Sequence, residues 1–436
     1  MAEKVDDIEE IIIRDKSESA SSKFMSKIDD DTLSEILVRV YDYQYLIQCK
    51  LVCKHWYSLI CSDHFIRTFI HESHKHQQQL ETLTYDVFLN LLPIKQLFIE
   101  KSNIHDLSWF STILKKRATK EYGYVDRFYD GHIRATYNDL LLISYTTQDC
   151  HDYYICNPFT KQWIPLPPPP KIMSTTNFNY IDYFDPFLYG SSIPIFIRFV
   201  FEPSKCCNKV QLMGCNCMNG TSTRFRVLLV TSSRGIHDPD LLFCSETKKW
   251  SKITLSFKSE GMIFDVVANN GIFYFFETNN MKLVAMDPFK DKKNWFRVIS
   301  LPSSLIKTRC KDQFLVTHFS LVRNQVRLLF TINDDNDYDK KFHVIWELNT
   351  NGDDDDGRST KQDWVLKNVI TTLNTSWCYF YPGNGDLMFF ADKYNNIYLF
   401  DIKKNYRFEK SDEKYCISKI MTLKHPVWPT PLPSTW

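Results

Sequence analysis

The chain has 436 residues, and its 53 lysine and arginine residues nearly cancel its 52 aspartate and glutamate residues, leaving a formal net charge of +1. Apolar residues at 44% and charged residues at 24% are typical of a globular protein and exclude wholesale disorder. The length predicts about three domains, or one small module and one large fold. Because no global field draws the chain to anionic polymers, we expect no nucleic-acid partner and no membrane partner.

Several further patterns exclude classes of protein. The odd number of 13 cysteines and the start of the chain, which lacks the basic and apolar regions of a secretory signal, predict a reduced protein of the cytoplasm and/or nucleus. The most apolar stretch, residues 193–201, is too short to span a membrane. Cys206, Cys207, Cys215 and Cys217 lack the Cys-x2-Cys spacing of zinc sites, and no glycine-rich phosphate loop occurs. We therefore expect no metal, no cofactor and no catalytic residue.

In the N-terminal part of the chain, a polar segment is followed by a segment with a helical pattern of apolar residues. Residues 1–24 lack the apolar surface needed to fold alone and are expected to be a disordered tail. In residues 25–70, Asp30 or Asp31 can cap a helix, and Leu33, Ile36 and Leu37 then fall on one apolar face. The segment therefore predicts a small all-α module of three short helices.

After residue 130, short aromatic and β-branched runs alternate with turn signals. Five hairpins recur, each closed by an aromatic residue: Trp163, Trp250, Trp295, Trp364 and Tyr406. Their spacing fits one period of about 43 residues, if the first interval holds two units and the third holds an acidic insertion. A unit near Ile197 to Leu212 would fill the first interval. This predicts a β-propeller of six to seven blades, with an irregular β-sandwich as the alternative.

The helical segment carries specific residue identities as well as a helical period. Residues 28–37, Leu46 and residues 51–60, which include Val52-Cys53-Lys54-His55-Trp56, resemble the F-box, although Asp29 and Tyr41 stand where that family usually has proline. The resemblance implies docking on the Skp-type adaptor of cullin ubiquitin ligases. The implied adaptor-binding residues are Ile28, Leu33, Ile36, Leu37, Leu46, Leu51, Val52, Trp56 and Ile60.

The β-rich part also resembles a family, the propeller half of plant F-box proteins of the F-box-associated and kelch-related type. The resemblance is carried by residues 138–142 and 156–163, 201–204, 344–348 and 428–433, although the paired glycines of kelch repeats are missing. It implies an α+β multidomain chain: a tail at 1–24, an F-box at 25–70, a connecting segment and start of the propeller at 71–130, and the propeller at 131–436.

These resemblances imply a non-catalytic substrate-recognition subunit of an SCF-type ubiquitin ligase, which binds a Skp-type adaptor, through it a cullin, and an unknown target protein. Two alternatives stay open. A propeller enzyme such as a glycoside hydrolase with a helical cap requires two carboxylates converging in the central channel. A ligase-independent F-box scaffold would bind the adaptor without cullin.

The segment from Asn177 to Tyr189 is the candidate for target binding, because aromatic side chains are frequent interface anchors. Its candidate residues are Tyr180, Tyr183, Phe184 and Phe187. Packing of these rings over a blade is the alternative. The acidic run from Asp353 to Asp356 is expected to be a solvated loop.

Overall fold

A computed structural model of the chain divides into two compact units, each described by itself. The first unit contains residues 1–82, 204–221 and 426–429, and the second contains 83–203, 222–425 and 430–436. The residues that the structure describes are 28–40, 43–77, 84–88, 132–146, 151–158, 160–170, 195–202, 224–231, 240–255, 263–277, 281–302, 314–322, 325–333, 340–349, 364–373, 375–380, 387–392, 397–403, 406–410, 420–424 and 432.

Helices make up the described part of the first unit. They are α1 (Asp30–Val38), α2 (Tyr43–Cys49), α3 (Lys54–Ile60) and α4 (Asp63–Gln77). The N-cap of α1 is Asp29, and not Asp30 or Asp31 as expected. Asp29 has extended backbone angles, and its carboxylate accepts a 2.7 Å hydrogen bond from the Thr32 N–H. The backbone and side-chain hydrogen bonds that Thr32 donates to this carboxylate lower the pKa of Asp29.

The helices pack around a small apolar core. Its buried members are Leu33, Leu37, Val38, Leu46, Ile60, Phe65 and Phe69. Phe65 and Phe69 lie one turn apart on α4 and stack with their ring centroids 6.3 Å apart. The core therefore includes residues of α4, which extends to Gln77, seven residues past residue 70.

The second unit is built of antiparallel sheets whose strands follow one another in sequence order. The first sheet contains β2 (His132–Tyr137), β3 (Leu140–Thr146), β4 (His151–Asn157) and β5 (Gln162–Leu166); the second contains β6 (Ile195–Phe201), β7 (Phe225–Thr231), β8 (Asp240–Cys244) and β9 (Lys249–Ile253). The third contains β10 (Ile263–Asn269), β11 (Ile272–Glu277), β12 (Lys282–Met286) and β13 (Phe296–Ile299).

The remaining described strands form three more sheets. The fourth sheet contains β14 (Phe314–Val322), β15 (Gln325–Asn333), β16 (Lys340–Leu348) and β17 (Trp364–Leu373); the fifth contains β18 (Thr375–Phe380), β19 (Leu387–Asp392), β20 (Ile397–Asp401) and β21 (Tyr406–Lys410). A two-stranded sheet pairs β1 (Thr84–Phe88) with β22 (Ile420–Lys424). The second unit therefore begins before residue 131, and its first and last described strands are hydrogen-bonded to each other.

The sheets are arranged as the blades of a propeller. Their first strands, β2, β6, β10, β14 and β18, contact one another in succession, and β22 contacts β2. Side chains alternate between the two faces of a strand, so one strand can pack against the neighbouring blade on either side. On β15, Leu328 and Phe330 pack toward the third blade, whereas Leu329 packs toward the fifth. The propeller prediction is confirmed, with six sheets among the described residues.

The predicted hairpins are the outer two strands of the five four-stranded blades. Each closing aromatic residue begins the outermost strand, lies next to its start, or directly precedes it. The interpretation of the first interval was wrong, however. Ile195–Phe201 is the first strand of the blade that Trp250 helps to close, so one blade with long connections, and not two blades, separates Trp163 from Trp250. The acidic insertion falls between β16 and β17, as expected.

Candidate functional site

The helical unit exposes a group of large apolar side chains, called here the exposed apolar set. Its members and their exposed fractions are Ile36 (52%), Tyr45 (60%), Ile47 (36%), Leu51 (85%), Val52 (57%) and Tyr57 (57%). They come from α1, α2, the turn after α2, and α3. Scattered single apolar residues are ordinary on a surface, but six within a segment of 22 residues, 36–57, indicate a binding surface.

The most exposed members lie on backbone that is fixed by hydrogen bonds. The N–H of Leu51 donates to the Gln48 carbonyl at 3.0 Å, and the N–H of Val52 donates to the Cys49 carbonyl at 3.1 Å. Directly afterwards, the Cys53 thiol caps α3 by accepting a hydrogen bond from the Trp56 N–H at 3.5 Å. Because the turn is hydrogen-bonded on both sides, Leu51 and Val52 are already held in place before a partner arrives, which reduces the entropy cost of binding.

One side of α1 is buried and stabilises the fold, whereas the other side is exposed and available for binding. Leu33 and Leu37, one turn apart, are buried in the helical core, whereas Ile36 is half exposed. Polar pairs accompany the exposed side: Glu35 pairs with Arg39, and the imidazole of His55 on α3 lies 3.1 Å from the carboxylate of Asp30. A polar rim around apolar anchors is the usual composition of a protein–protein interface.

The nine predicted adaptor-binding residues fall into three groups. Ile36, Leu51 and Val52 are exposed; Ile28 and Trp56 are half-buried against the helical core; and Leu33, Leu37, Leu46 and Ile60 are buried within it. A partner can touch only the first two groups without unfolding the module. Sequence reasoning did not select Tyr45, Ile47 and Tyr57. Their signal was available, because Tyr45 and Ile47 flank the buried Leu46 on a helix and must point to either side of it.

The first strands of the blades, which contact one another in succession, differ from ideal strands in one respect. Four of the five first strands contain a one-residue bulge, with the extra residues being Arg134, Phe264, Thr317 and Ser376. The strand β6 has a continuous register instead. A bulge interrupts the hydrogen-bond ladder and leaves backbone groups in need of partners.

Arg198 on β6 supplies such partners for both neighbouring blades. Its guanidinium donates to the Val266 carbonyl at 2.6 Å, to the Arg134 carbonyl at 3.4 Å and to the Asp265 carboxylate at 2.9 Å. Burial lowers the pKa of Arg198, and the adjacent Asp265 carboxylate opposes that shift. Asp265 is the one carboxylate in the five first strands β2, β6, β10, β14 and β18. These strands therefore hold a structural ion pair and not two converging carboxylates.

Tyr137 lies at one end of β2 and contacts two other blades. Its hydroxyl oxygen accepts a 3.0 Å hydrogen bond from the Gly271 N–H, which links the first blade to the third. Its ring packs against Phe199 and Phe201 of the second blade at centroid distances of 5.8 and 6.1 Å. Burial raises the pKa of Tyr137 to about 12, so the hydroxyl stays protonated.

Several sequence predictions lie outside the described residues. These are the target-binding candidates Tyr180, Tyr183, Phe184 and Phe187, the cysteine cluster at 206–217 and the acidic run at 353–356. Within the described ranges, no group of three or more His, Cys, Asp or Glu side chains is placed to hold a metal ion. No described helix is long and apolar enough to cross a membrane.

Comparison with known protein families assigns both units. Residues 112–401, about two thirds of the chain, match the KIB1-4 beta-propeller family. The chain belongs to the KIB1-4 β-propeller family. Residues 25–68 match the F-box domain, so the helical unit in front of the KIB1-4 propeller is an F-box. The expected kelch-related type is not supported, since a KIB1-4 propeller is not a kelch propeller, in agreement with the missing glycine pairs.

Two solved structures that are similar to this KIB1-4 chain are remote in sequence. A chain in the crystal structure of the mitotic checkpoint complex is 9% identical, with a TM-score of 0.30 over 73% of this chain and 75% of that chain. A chain in the crystal structure of the nidogen/laminin complex is 6% identical, with a TM-score of 0.30 over 64% and 77% of the two chains. Comparison with curated proteins gives no significant match.

Proposed function

We propose that this F-box and KIB1-4 propeller protein is a substrate receptor of an SCF-type ubiquitin ligase. The F-box docks on a Skp-type adaptor and through it on a cullin, and the propeller holds the target protein. The observation that carries the proposal is the exposed apolar set, which lies within the segment that matches the F-box domain. Burying one such side chain completely contributes about 1.5–3 kcal/mol, and several of them together offset the entropy cost of association.

The receptor itself needs no catalytic group in this proposal. A ligase complex accelerates transfer by holding a target lysine near the ubiquitin-conjugating enzyme, which raises the effective concentration of the reacting groups. Among the described first strands, Asp265 is the one carboxylate, and it is paired with Arg198. A glycoside hydrolase of this fold would require a second carboxylate beside it.

Assembly with purified partners tests the proposal. The full chain is mixed with a Skp-type adaptor and a cullin, and the complexes are separated by size-exclusion chromatography. We expect one peak that contains all three proteins. A complex of the chain and the adaptor that excludes the cullin would favour the ligase-independent scaffold, and failure to bind the adaptor would contradict the proposal.

A further inference from the structure

The outermost strand of the fourth blade is longer than those of the other blades. β17 has ten residues, whereas β5, β9, β13 and β21 have four or five. One edge of β17 pairs with β16, and no described strand pairs with its other edge, called here the open edge of β17. At about 3.4 Å per residue, the open edge is roughly 34 Å long.

The other outermost strands carry residues that oppose pairing with a further strand. Proline lacks an N–H donor, and a charged side chain resists the loss of water that pairing requires. These residues are Pro165 in β5, Lys249 and Lys252 in β9, Arg297 in β13, and Arg407, Glu409 and Lys410 in β21. Short length, proline and charge are the usual protection of a strand edge.

β17 has little of this protection. Three of its large apolar side chains are exposed: Val365 (42%), Leu366 (47%) and Val369 (51%). Its one charged residue, Lys367, is held within its own blade by an ion pair with Glu347 on β16 at 2.7 Å. A long edge with exposed apolar side chains is a template for pairing with another chain.

The backbone of the open edge is regular over six residues. The bulge of β17 lies at Lys367, and from Asn368 to Leu373 each residue pairs with one residue of β16. The Val369 N–H donates to Asn368 Oδ1 at 2.8 Å, so this donor points away from β16. Alternate residues direct their backbone groups to the same edge, so the Thr371 N–H points away from β16 as well. The Asn368 amide oxygen thus satisfies an edge donor as the carbonyl of an added strand would.

We propose that the open edge of β17 binds an extended segment of the target protein as an additional strand. This inference rests on the proposed function, for which it names the mode of target recognition. Backbone hydrogen bonds with Val369 and Thr371 supply affinity, and side chains at alternate positions of the segment supply specificity. Val369 and Thr371 are both exposed and lie on one face of the strand, so the segment carries apolar or β-branched residues at alternate positions.

A short segment suits this edge better than a second copy of the chain. Two copies that pair through β17, along about 34 Å and over a width of roughly 10 Å, bury about 700 Å² in total. A stable association of two folded proteins needs at least about 1,200 Å². An extended segment binds through its backbone and does not need a large surface on either side of the strand.

Fluorescence anisotropy with the full chain tests the open edge. The probe is a labelled peptide of about ten residues in which Thr and Val alternate, and the matched probe carries methyl groups on its central backbone nitrogens. The unmethylated probe should bind at least about tenfold more tightly, because methylation removes backbone donors. Thr371→Pro removes an N–H that does not pair with β16 and should weaken binding at least about fivefold. Val369→Lys should weaken it at least about threefold, and it leaves the backbone unaltered even where Thr371→Pro lowers the melting temperature.

Val298→Lys is the matched control, because Val298 is an exposed valine on β13, the outermost strand of the neighbouring blade. It should change the affinity less than about twofold. An equal loss in the control, or equal binding of the two probes, would overturn the proposal. Self-association of the chain in sedimentation velocity that Val369→Lys abolishes would assign the edge to a second copy and also overturn it.

Adaptor capture is measured on the same samples to separate this inference from the proposed function. Normal capture without peptide binding contradicts only the open edge of β17 as a binding site. Peptide binding without adaptor capture contradicts only the proposed function.

Discussion

The indole Nε1 of Trp250 donates a 2.7 Å hydrogen bond to the carbonyl oxygen of Pro167, the first residue after the outermost strand of the preceding blade. Trp364 repeats this relationship two blades further on, donating at 3.0 Å to Ser300, the first residue after β13. The closing tryptophans that reveal the repeat in the sequence thus also join adjacent blades. Trp295 differs, because its N–H donates to Lys290 within its own turn at 2.7 Å.

The first prediction concerns this contact between blades. Trp250→Phe keeps a ring against Phe243, whose centroid lies 5.3 Å from that of Trp250, but removes the N–H. We expect the free energy of unfolding to fall by about 1 kcal/mol, the usual net value of one hydrogen bond. Trp295→Phe is the control and should cost less than about 0.5 kcal/mol, since its bond is exposed and local. Equal losses in chemical denaturation would contradict the distinction.

The second prediction concerns the ion pair between blades. Arg198→Met leaves the half-buried carboxylate of Asp265 without its cation and should cost about 2–4 kcal/mol. Arg198→Met with Asp265→Asn should cost less than the sum of the two single changes, because the second change removes the unpaired charge. The measurement is a double-mutant cycle by urea unfolding. Additive losses would show that the two residues do not stabilise each other.

The sequence predicted the parts of the propeller that carry local signals. The outer hairpins have turn residues and a closing aromatic residue, so their positions followed from spacing. The inner two strands of a blade lack such marks: Ile195–Phe201, a first strand, and Ile272–Glu277, a second strand, are nearly continuous apolar runs, because both of their faces are buried. A long connection was therefore mistaken for a blade between Trp163 and Trp250.

In the F-box, too, local sequence signals did not decide which residues are exposed. Helical spacing placed Leu33, Ile36 and Leu37 on one face, but only the packing of α1 against α3 and α4 decides that Ile36 is left exposed. A resemblance to a family indicates which residues matter and does not separate core residues from contact residues. Docking of the adaptor on Ile36, Leu51 and Val52, the exposed members of the predicted set, stays a prediction.

The third prediction concerns pH. His343 is buried between the fourth and fifth blades, where it contacts Thr331, Thr372 and Cys378 at 2.9, 2.7 and 3.4 Å. Burial, with a contribution from Lys341, lowers the pKa of His343 to about 4. Between its ordinary pKa of 6.5 and this value, the unfolded chain binds a proton that the folded chain does not.

The stability contributed by neutral His343 is therefore present above pH 6.5 and is lost as the pH falls toward 4. The loss should reach about 3 kcal/mol, from about 1.4 kcal/mol for each pH unit. His343→Gln should make the free energy of unfolding less dependent on pH over this range. The same slope in the variant and in the unaltered chain would contradict the assignment.

The fourth prediction concerns the ends of the propeller. A fragment that begins at Leu83 keeps β1, which pairs with β22 from Thr84↔Lys424 to Phe88↔Ile420. We expect it to fold with a β-rich circular dichroism spectrum. A fragment that begins at residue 89 lacks β1 as well and should melt at least about 5 °C lower, because β22 loses its hydrogen-bonded partner strand. Equal melting temperatures would show that β1 is dispensable.

The central claim is that the F-box binds its partner through the exposed apolar set. The most direct measurement is the dissociation constant of the full chain for a Skp-type adaptor, together with the melting temperature of each variant. Ile36→Asp and Leu51→Asp place a charge where docking removes water, which costs several kcal/mol and should weaken binding at least about 100-fold. Their melting temperatures should stay close to that of the unaltered chain, since neither residue belongs to the helical core.

Leu37→Ala is the control for a folding defect. Leu37 is buried, so its truncation should lower the melting temperature and the affinity together. The account predicts that Ile36→Asp and Leu51→Asp lose adaptor binding while the fold is preserved. Undiminished adaptor affinity in both variants would contradict it.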